Sequence, residues 1–409
     1  MSRATVSDGL APSAARDSGT VDIALVANAR MPSQRAQSVQ LARAAFAFEA
    51  AGARTVVVHA KRRDTPIRPA GEVWSQLGAS GAEGRAPSLV AASCVDWIDA
   101  LPRSLQFGPA RVQEWTFGRE AARLVREGYP DALVLARDVE VAHALRGRGR
   151  VGLEIHRVPG GRVRREWLTG AVEDGAPVVA ISGGVRDDLV ALGVPAERIL
   201  VEHDAHDPAL EAALPSRDEA RRRLGLDADR PIVLYAGGLL RWKGVDVLVD
   251  AARSGRLDDA RVMVVGGMDA DVEALRARAR GVGNVDVIGY RPAHDVPLYL
   301  AAADVAVVPN RRTPRISSHY TSPLKVFEAM AACVPLVVSD LPSLCDVLAA
   351  DEATFVEPED PVALAEGVRR VLDDPAGAAE IADRAYEAVR GRTWEARARR
   401  ILDFLEALA

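Results

Sequence analysis

Ile232-Val-Leu-Tyr-Ala-Gly237-Gly238-Leu-Leu-Arg241-Trp-Lys243-Gly244, followed by the apolar Val245–Ser254, reads as a buried strand, a glycine-rich loop and a helix. Only three of the 52 basic residues are lysines, and two of them, Lys243 and Lys325, stand where a helix begins just after an apolar strand. The N-terminal end of a helix already carries about half a positive charge. An ammonium placed there is explained by an anion held between it and the open backbone N–H groups. The competing reading is two solvated lysines that tolerate the dipole at roughly 0.3–1 kcal/mol each. Recurrence at two equivalent positions favours a phosphate site.

Outward from this unit, short β-branched runs alternate with helical stretches, which predicts parallel sheets with crossover helices. In the second half the expected strands are Ile232–Ala236, Arg261–Val265, Val285–Gly289, Val305–Val308 and Pro335–Val338. The expected helices are Val245–Ser254, Asp271–Arg280, Val296–Ala302 and Pro323–Ala332, with a loop over Asn310–Ser322 and three helical stretches from Pro361 to Leu408. In the first half, Val21–Ala27, Thr55–Ala60, Ala132–Leu135, Val151–Ile155 and Val178–Ile181 read as strands and Val39–Ala51 as a helix. Five prolines interrupt residues 65–120, and no assignment is made there.

The fold class expected is α/β, with two doubly wound, Rossmann-like domains in tandem. Residues 1–20 read as a disordered leader, 21–206 as the first domain, 207–392 as the second and 393–409 as a segment packing back on the first. Ligands of such sheets sit beyond the strands' carboxyl ends, so the site is expected in the cleft between domains.

Composition removes several classes. No apolar stretch is long enough to cross a bilayer, and the leader lacks a signal peptide's apolar core. Cys94, Cys333 and Cys345 are odd in number and show no C-x-x-C spacing, which fits a reducing cytoplasm better than a disulfide or zinc framework. Up to His206 there are 26 Lys+Arg against 24 Asp+Glu, and from Asp207 onward 26 against 33. Such a chain is no nucleic-acid binder. One local stretch, Arg146 to Arg165, holds seven arginines and only Glu154. It can rest on anionic lipid at the inner face of the plasma membrane, receive an acidic acceptor, or be a solvated loop.

The loop Gly237–Gly244 is neither G-x-G-x-x-G nor a Walker A sequence, so a dinucleotide or triphosphatase site is not indicated. Gly237 and Gly238 allow close backbone approach, and Arg241 and Lys243 supply positive charge. In Ser322-Pro323-Leu324-Lys325-Val-Phe-Glu328, Ser322 is expected to cap the helix and Pro323 to occupy its first turn. The free N–H groups of Leu324 and Lys325 then face a phosphate. Glu328, one turn on, can accept two hydroxyl hydrogen bonds or pair with Lys325. His156 ends a strand with Glu154 on the same face, and Arg137 and Asp138 end the strand before it. The run His203-Asp-Ala-His206-Asp207 invites a metal reading, but its place at the domain joint suits a linker in which Asp207 fixes the backbone.

Tyr235–Ala251 and Ser322–Leu348 resemble the retaining glycosyltransferases of family 4, which have the two-domain GT-B fold. Met31-Pro-Ser-Gln-Arg-Ala, Leu153-Glu-Ile-His156, Ile181-Ser-Gly-Gly and Asp304–Pro309 extend the similarity from about residue 21 to the C-terminus. The resemblance implies transfer of a sugar from a nucleotide-diphosphate sugar to a hydroxyl acceptor with no metal or other cofactor. It implies Lys243 and the N–H groups of Leu324 and Lys325 on the diphosphate, Glu328 on the ribose, and Ile288-Gly-Tyr290-Arg291 along the base. It places His156 at the donor sugar or the acceptor, and Thr393–Leu408 as the helix crossing back to the first domain. Three positions depart from the family pattern. Gly237-Gly238-Leu239 lacks the usual arginine, Tyr320 stands where the first of two paired glutamates is expected, and Cys333 replaces a frequent glycine. These departures leave open a catalytically silent nucleotide-sugar partner or sensor; an epimerase of the same fold is the other alternative.

Overall fold

Runs such as Leu133–Ala136 and Val305–Val308 are apolar at every position because helices cover both faces of the sheet they enter. The computed structural model describes residues 20–79, 85–98, 101–102 and 105–408; the leader expected over 1–20 lies, but for Thr20, outside them. The first half runs β1 (Ile23–Ala27), α1 (Ala36–Ala50), β2 (Thr55–Lys61), α2 (Ala70–Gln76), β3 (Ser88–Ser93), α3 (Phe107–Gly128), β4 (Leu133–Ala136), α4 (Val139–Ala144), β5 (Val151–Ile155), α5 (Arg162–Glu173), β6 (Val178–Ala180), α6 (Gly183–Ala191), β7 (Ile199–Val201). Its strands form a parallel seven-stranded sheet of order β3-β2-β1-β4-β5-β6-β7.

The chain continues through α7 (Pro208–Ala212), α8 (Arg217–Leu224), β8 (Ile232–Ala236), α9 (Val245–Arg253), β9 (Arg261–Val265), α10 (Asp269–Arg278), β10 (Val285–Gly289), α11 (Val296–Ala302), β11 (Val305–Val308), α12 (Leu324–Ala331), β12 (Leu336–Ser339), α13 (Pro342–Cys345), β13 (Thr354–Val356), α14 (Pro361–Asp373), α15 (Pro375–Val389) and α16 (Trp394–Leu408). Its six strands are again parallel, in the order β10-β9-β8-β11-β12-β13. In each sheet the order reverses once, between β1 and β4 and between β8 and β11, which are the crevices where doubly wound sheets bind ligands.

Two segments cross between the sheets side by side. His206 bridges Thr393 in parallel, with His206 N donating to Arg392 O and Trp394 N to His206 O. Beyond this bridge α16 buries Trp394, Ala398, Ile401 and Leu405 in the same apolar cluster as Leu41, Ala45 and Phe48 of α1.

Three features differ from expectation. β7 and β13, with three residues each, are too short to show a period in sequence. The interrupted region holds α2, β3 and α3; Pro109 lies in the first turn of α3, where its missing N–H costs no helix bond. The expected loop Asn310–Ser322 contains a π-helical turn at Ile316–Tyr320, which lodges Ser317, Ser318 and Tyr320 in the interior.

Candidate functional site

At the carboxyl end of β8 the chain turns sharply. Gly237 N donates to Val265 O at 2.8 Å, and the Tyr235 hydroxyl donates to Gly238 O at 2.6 Å. Arg241–Lys243 form one turn of 3₁₀ helix rather than open loop, and Gly244 enters α9 with φ 67°. A Cβ on Gly244 would lie 1.8 Å from Pro309 O, so only glycine lets the loop close on the end of β11. Leu240 and Arg241 are exposed, whereas Lys243 reaches inward over the Trp242 ring at 4.0 Å. Burial lowers the Lys243 ammonium to about 8, with only Asp204 acting the other way.

The second lysine sits at the start of α12. Lys325 Nζ lies 3.7 Å from the centre of the Tyr235 ring, fully enclosed and without a hydrogen-bond partner. A Cβ on Gly237 would come within 3.0 Å of this nitrogen, so glycine there leaves the ammonium its space. Burial pushes the Lys325 ammonium well below its ordinary value, and repulsion from Lys243 adds to the effect. The solvated-lysine reading therefore fails for Lys325. A buried, unsatisfied cation is costly to the fold and requires an explanation.

Ser322 does not cap α12. The helix begins one residue later than expected, with Pro323 at the N-cap position, and the Ser322 hydroxyl instead accepts from Asp204 N at 2.8 Å across the cleft. The first-turn N–H groups of α12 consequently lack a side-chain cap. Glu328 does not bond Lys325; its Oε1 accepts from Arg43 Nη1 of α1 at 2.8 Å. Tyr290, partly buried, follows β10, whose last carbonyl, Gly289 O, accepts from Gly266 N beside the Gly237 turn.

The first sheet presents a charged cluster to these groups. Both Glu154 oxygens are engaged: Oε2 with Arg137 Nε and Oε1 with Arg397 Nη2, each at 2.7 Å. Burial alone would raise the Glu154 carboxyl, but Arg137, Arg397 and His156 hold it well below the usual carboxylate range. His156, one-third exposed, lies with its buried Nε2 3.3 Å from Glu154 Oε1. Arg137 also donates to Gln40 Oε1 at 3.2 Å, and Gln40 in turn donates to Asp204. Asp138 accepts from Asn28 N at 2.7 Å in the β1/β4 crevice, and burial raises its carboxyl to about 7. Asp204 links the two groups electrostatically, acting on Lys243 from one side and on Arg137, Arg397 and His156 from the other, while Lys325 feels both Lys243 and Glu328; Arg241 points to solvent. Sequence reading did not find Arg43, Gln40 and Asp204.

A second set of contacts joins the two sheets' helices. The Tyr320 hydroxyl and Arg315 both donate to Asp188 of α6, and Gly183 N donates to Asp346 Oδ2 at 2.6 Å. A Cβ on Gly184 would lie 2.1 Å from His319 O, so this approach also needs glycine. His203 faces Asp346 and His206 faces Glu211, so the two histidines of the joint diverge. Among the described residues no three His, Cys, Asp or Glu side chains are grouped as metal ligands. Asp207 accepts from Ala209 N and starts α7.

The arginine-rich stretch is not one patch. Arg146, Arg148 and Arg150 precede β5 and Arg157, Arg162, Arg164 and Arg165 follow it, so a five-residue strand of roughly 16 Å separates the groups. Arg146 pairs with Asp174, Arg162 with Glu166 and Arg164 with Glu140, while Arg148 donates to three backbone carbonyls around Tyr129–Ala132.

Residues 216–390 match the family of glycosyl transferases group 1. A D-inositol 3-phosphate glycosyltransferase of Catenulispora acidiphila is 32% identical over 241 residues, 55% of this chain and 56% of that protein. A putative teichuronic acid biosynthesis glycosyltransferase of Bacillus subtilis is 30% identical over 177 residues, 43% of this chain and 42% of that one. The chain thus spans about half the length of these curated relatives. Among solved structures, Anabaena HepE in complex with UDP superposes with a TM-score of 0.71 at 18% identity, covering 95% of this chain and all of HepE. Sucrose-phosphate synthase of Thermosynechococcus elongatus gives 0.73 at 21%, covering 95% and 99%. The chain has the GT-B fold, and residues 216–390 within it, which include the motifs around Lys243 and Lys325, are similar to the group 1 glycosyl transferases.

Proposed function

We propose that this chain is a retaining glycosyltransferase of family 4 that moves a sugar from a nucleotide-diphosphate sugar to a hydroxyl acceptor without a metal. The observation that carries the reading is the enclosed Lys325 ammonium, without a hydrogen-bond partner, beside Lys243 at the uncapped start of α12. A diphosphate supplies the counter-charge: Lys243 and the Leu324 and Lys325 N–H groups hold it, with Gly237 and Gly238 beside it, while Arg241 stays on the solvent side of the loop. Ser322 and Pro323 set where α12 begins, Glu328 takes the ribose and Tyr290 lies along the base. In the transfer the acceptor oxygen bonds to the anomeric carbon on the face the nucleotide leaves. The bond to the β-phosphate oxygen breaks as its charge grows toward the cations, and that oxygen takes the acceptor's proton. His156 faces the sugar or acceptor, held by Glu154; Arg137 and Asp138 complete the acceptor side. The named relatives are glycosyltransferases and HepE binds UDP, which supports the donor class.

A panel of nucleotide sugars, read by thermal shift and nucleotide release, tests this. One donor should raise the melting temperature by mass action and be turned over when an acceptor is present. No shift with any donor sinks the reading. A shift without release even in the presence of varied acceptors would favour the sensor reading, for which Tyr320 tied to Asp188 is the supporting observation.

Binding should also depend on pH with a defined sign. Lys243 in the free protein loses its proton near 8, and a bound diphosphate favours the ammonium. Affinity for the nucleoside diphosphate is therefore full below pH 8 and falls above it, by up to about tenfold per unit, with proton uptake on binding. Calorimetry in buffers of different ionisation enthalpy measures that uptake; none at pH 8.5 would contradict it.

Among the described residues no helix is long and apolar enough to cross a membrane. Peripheral contact is better assigned to α3 than to the divided arginine stretch. Phe107, Arg111, Trp115 and Arg119 form one i,i+4 stripe, with Phe107 76% and Trp115 46% exposed. Arg111 and Arg119 lie over these rings at 5.3 and 4.9 Å. Aromatic rings with arginines suit an anionic bilayer interface. Co-sedimentation with phosphatidylglycerol vesicles, absent with phosphatidylcholine and lost in Phe107→Ser/Trp115→Ser, is expected; equal binding to both lipids refutes the contact.

A further inference from the structure

We propose that Arg43, on the opposite side of the cleft from the nucleotide, is a positioning residue that makes recognition of the ribose depend on the first sheet; this rests on the donor reading above. Around Arg43 the helix α1 buries small and apolar residues: Leu41, Ala42, Ala44, Ala45, Phe46 and Phe48. A guanidinium in that setting, with only 5% of its side chain exposed, is costly unless a carboxylate meets it. Glu328 meets it, at 2.8 Å from Nη1 to Oε1, from a residue 285 positions further along the chain.

The chemistry of that contact is specific. A glutamate on a half-buried helix face has three side-chain torsions to fix before its carboxylate can accept two neighbouring hydroxyls. A guanidinium on Oε1 fixes them and leaves Oε2 and one lone pair of Oε1 directed away from Arg43. Gln40, one turn earlier on the same face of α1, ties that face to Asp204 and Arg137, and Asp204 N is tied to Ser322 just before α12. The face of α1 that carries Arg43 is thereby tied to both halves of the chain. A ribose has two vicinal hydroxyls to offer the free acceptors, and a 2′-deoxyribose has one. Preference for ribonucleotide over deoxyribonucleotide should therefore weaken when Arg43 no longer orients Glu328, although Arg43 itself touches no nucleotide.

The test uses the full chain and pairs of probes: uridine, guanosine and adenosine diphosphates, each against its 2′-deoxy form, titrated into wild type, Glu328→Gln, Arg43→Gln and Arg43→Lys. Wild type should prefer the ribose form of whichever base it binds, and Glu328→Gln should abolish the preference. Arg43→Gln should reduce it by roughly 10–100-fold, the scale of hydrogen bonds to a charged group, with the deoxy form bound nearly as before. Arg43→Lys should restore part of it; where Arg43→Gln melts early, Arg43→Lys alone decides, by a preference between the wild-type and Glu328→Gln values. A wild-type preference retained in Arg43→Gln, with Glu328→Gln behaving as stated, overturns the proposal and leaves the donor reading intact. So does wild type binding both forms equally. Binding of no nucleoside diphosphate to wild type removes the donor reading itself, and this proposal with it.

Discussion

Lys243→Ala is expected to lower turnover of the donor by about 10²–10³ while leaving the melting temperature unchanged or slightly raised. A charge pair about 4 Å apart at an effective dielectric near 20 is worth roughly 4 kcal/mol, and the share specific to the departing diphosphate sets the loss. The stability side follows from the free protein. Lys243 is an ammonium that burial has pulled down to about 8, with Lys325 beside it pulled lower still. Removing the half-buried Lys243 relieves its repulsion of the enclosed Lys325 ammonium, so the residue costs stability and serves function. Steady-state rates with the preferred donor, together with a melting curve, separate the two. Near-normal turnover in Lys243→Ala would remove Lys243 from the chemistry; a collapse in melting temperature would make it structural.

The parts of this molecule legible in its sequence are those fixed by local pattern. Val151–Ile155, Arg261–Val265, Val285–Gly289 and Val305–Val308 occur as the strands read and Val296–Ala302 as the helix read, since short β-branched runs with at most one charged residue stand out from the turns and helices around them. The lysines were legible for a related reason: their position after a strand is itself a local pattern. Whatever depends on distant pairing was not. Nothing in Ser322 tells that its hydroxyl meets Asp204 N instead of capping α12, and nothing in α1 tells that Arg43 meets Glu328. A buried arginine in an Ala/Phe helix is indistinguishable from a surface one until the partner sheet is in place. The same holds for Glu154, whose neighbour in sequence is His156 but whose strongest partners, Arg137 and Arg397, lie 17 and 243 positions away.

Glu154→Ala is accordingly expected to act on the fold first and on the reaction second. The carboxylate lies between two guanidiniums that are 6% and 2% exposed, and Arg397 also donates to His203 O at 2.8 Å, tying α16 to the first sheet. Removing the shared anion leaves two like charges buried together, a defect of about 3–5 kcal/mol. For a unit of this size that is a fall of roughly 6–20 °C in its unfolding transition. The sign with pH is fixed by the direction of the shift. The folded carboxyl is held below its ordinary value, so its stabilisation is fully present above about pH 4.3 and is lost as pH falls through the folded value. Calorimetry of wild type and Glu154→Ala at pH 7 and in acid should therefore give a large gap that narrows on acidification. A pH 7 gap of under about 1 kcal/mol would mean that the two arginines find water or other carboxylates when Glu154 is gone. In that event the cluster is a mobile polar lining of the cleft, and Glu154 returns to being a candidate for direct contact with the acceptor.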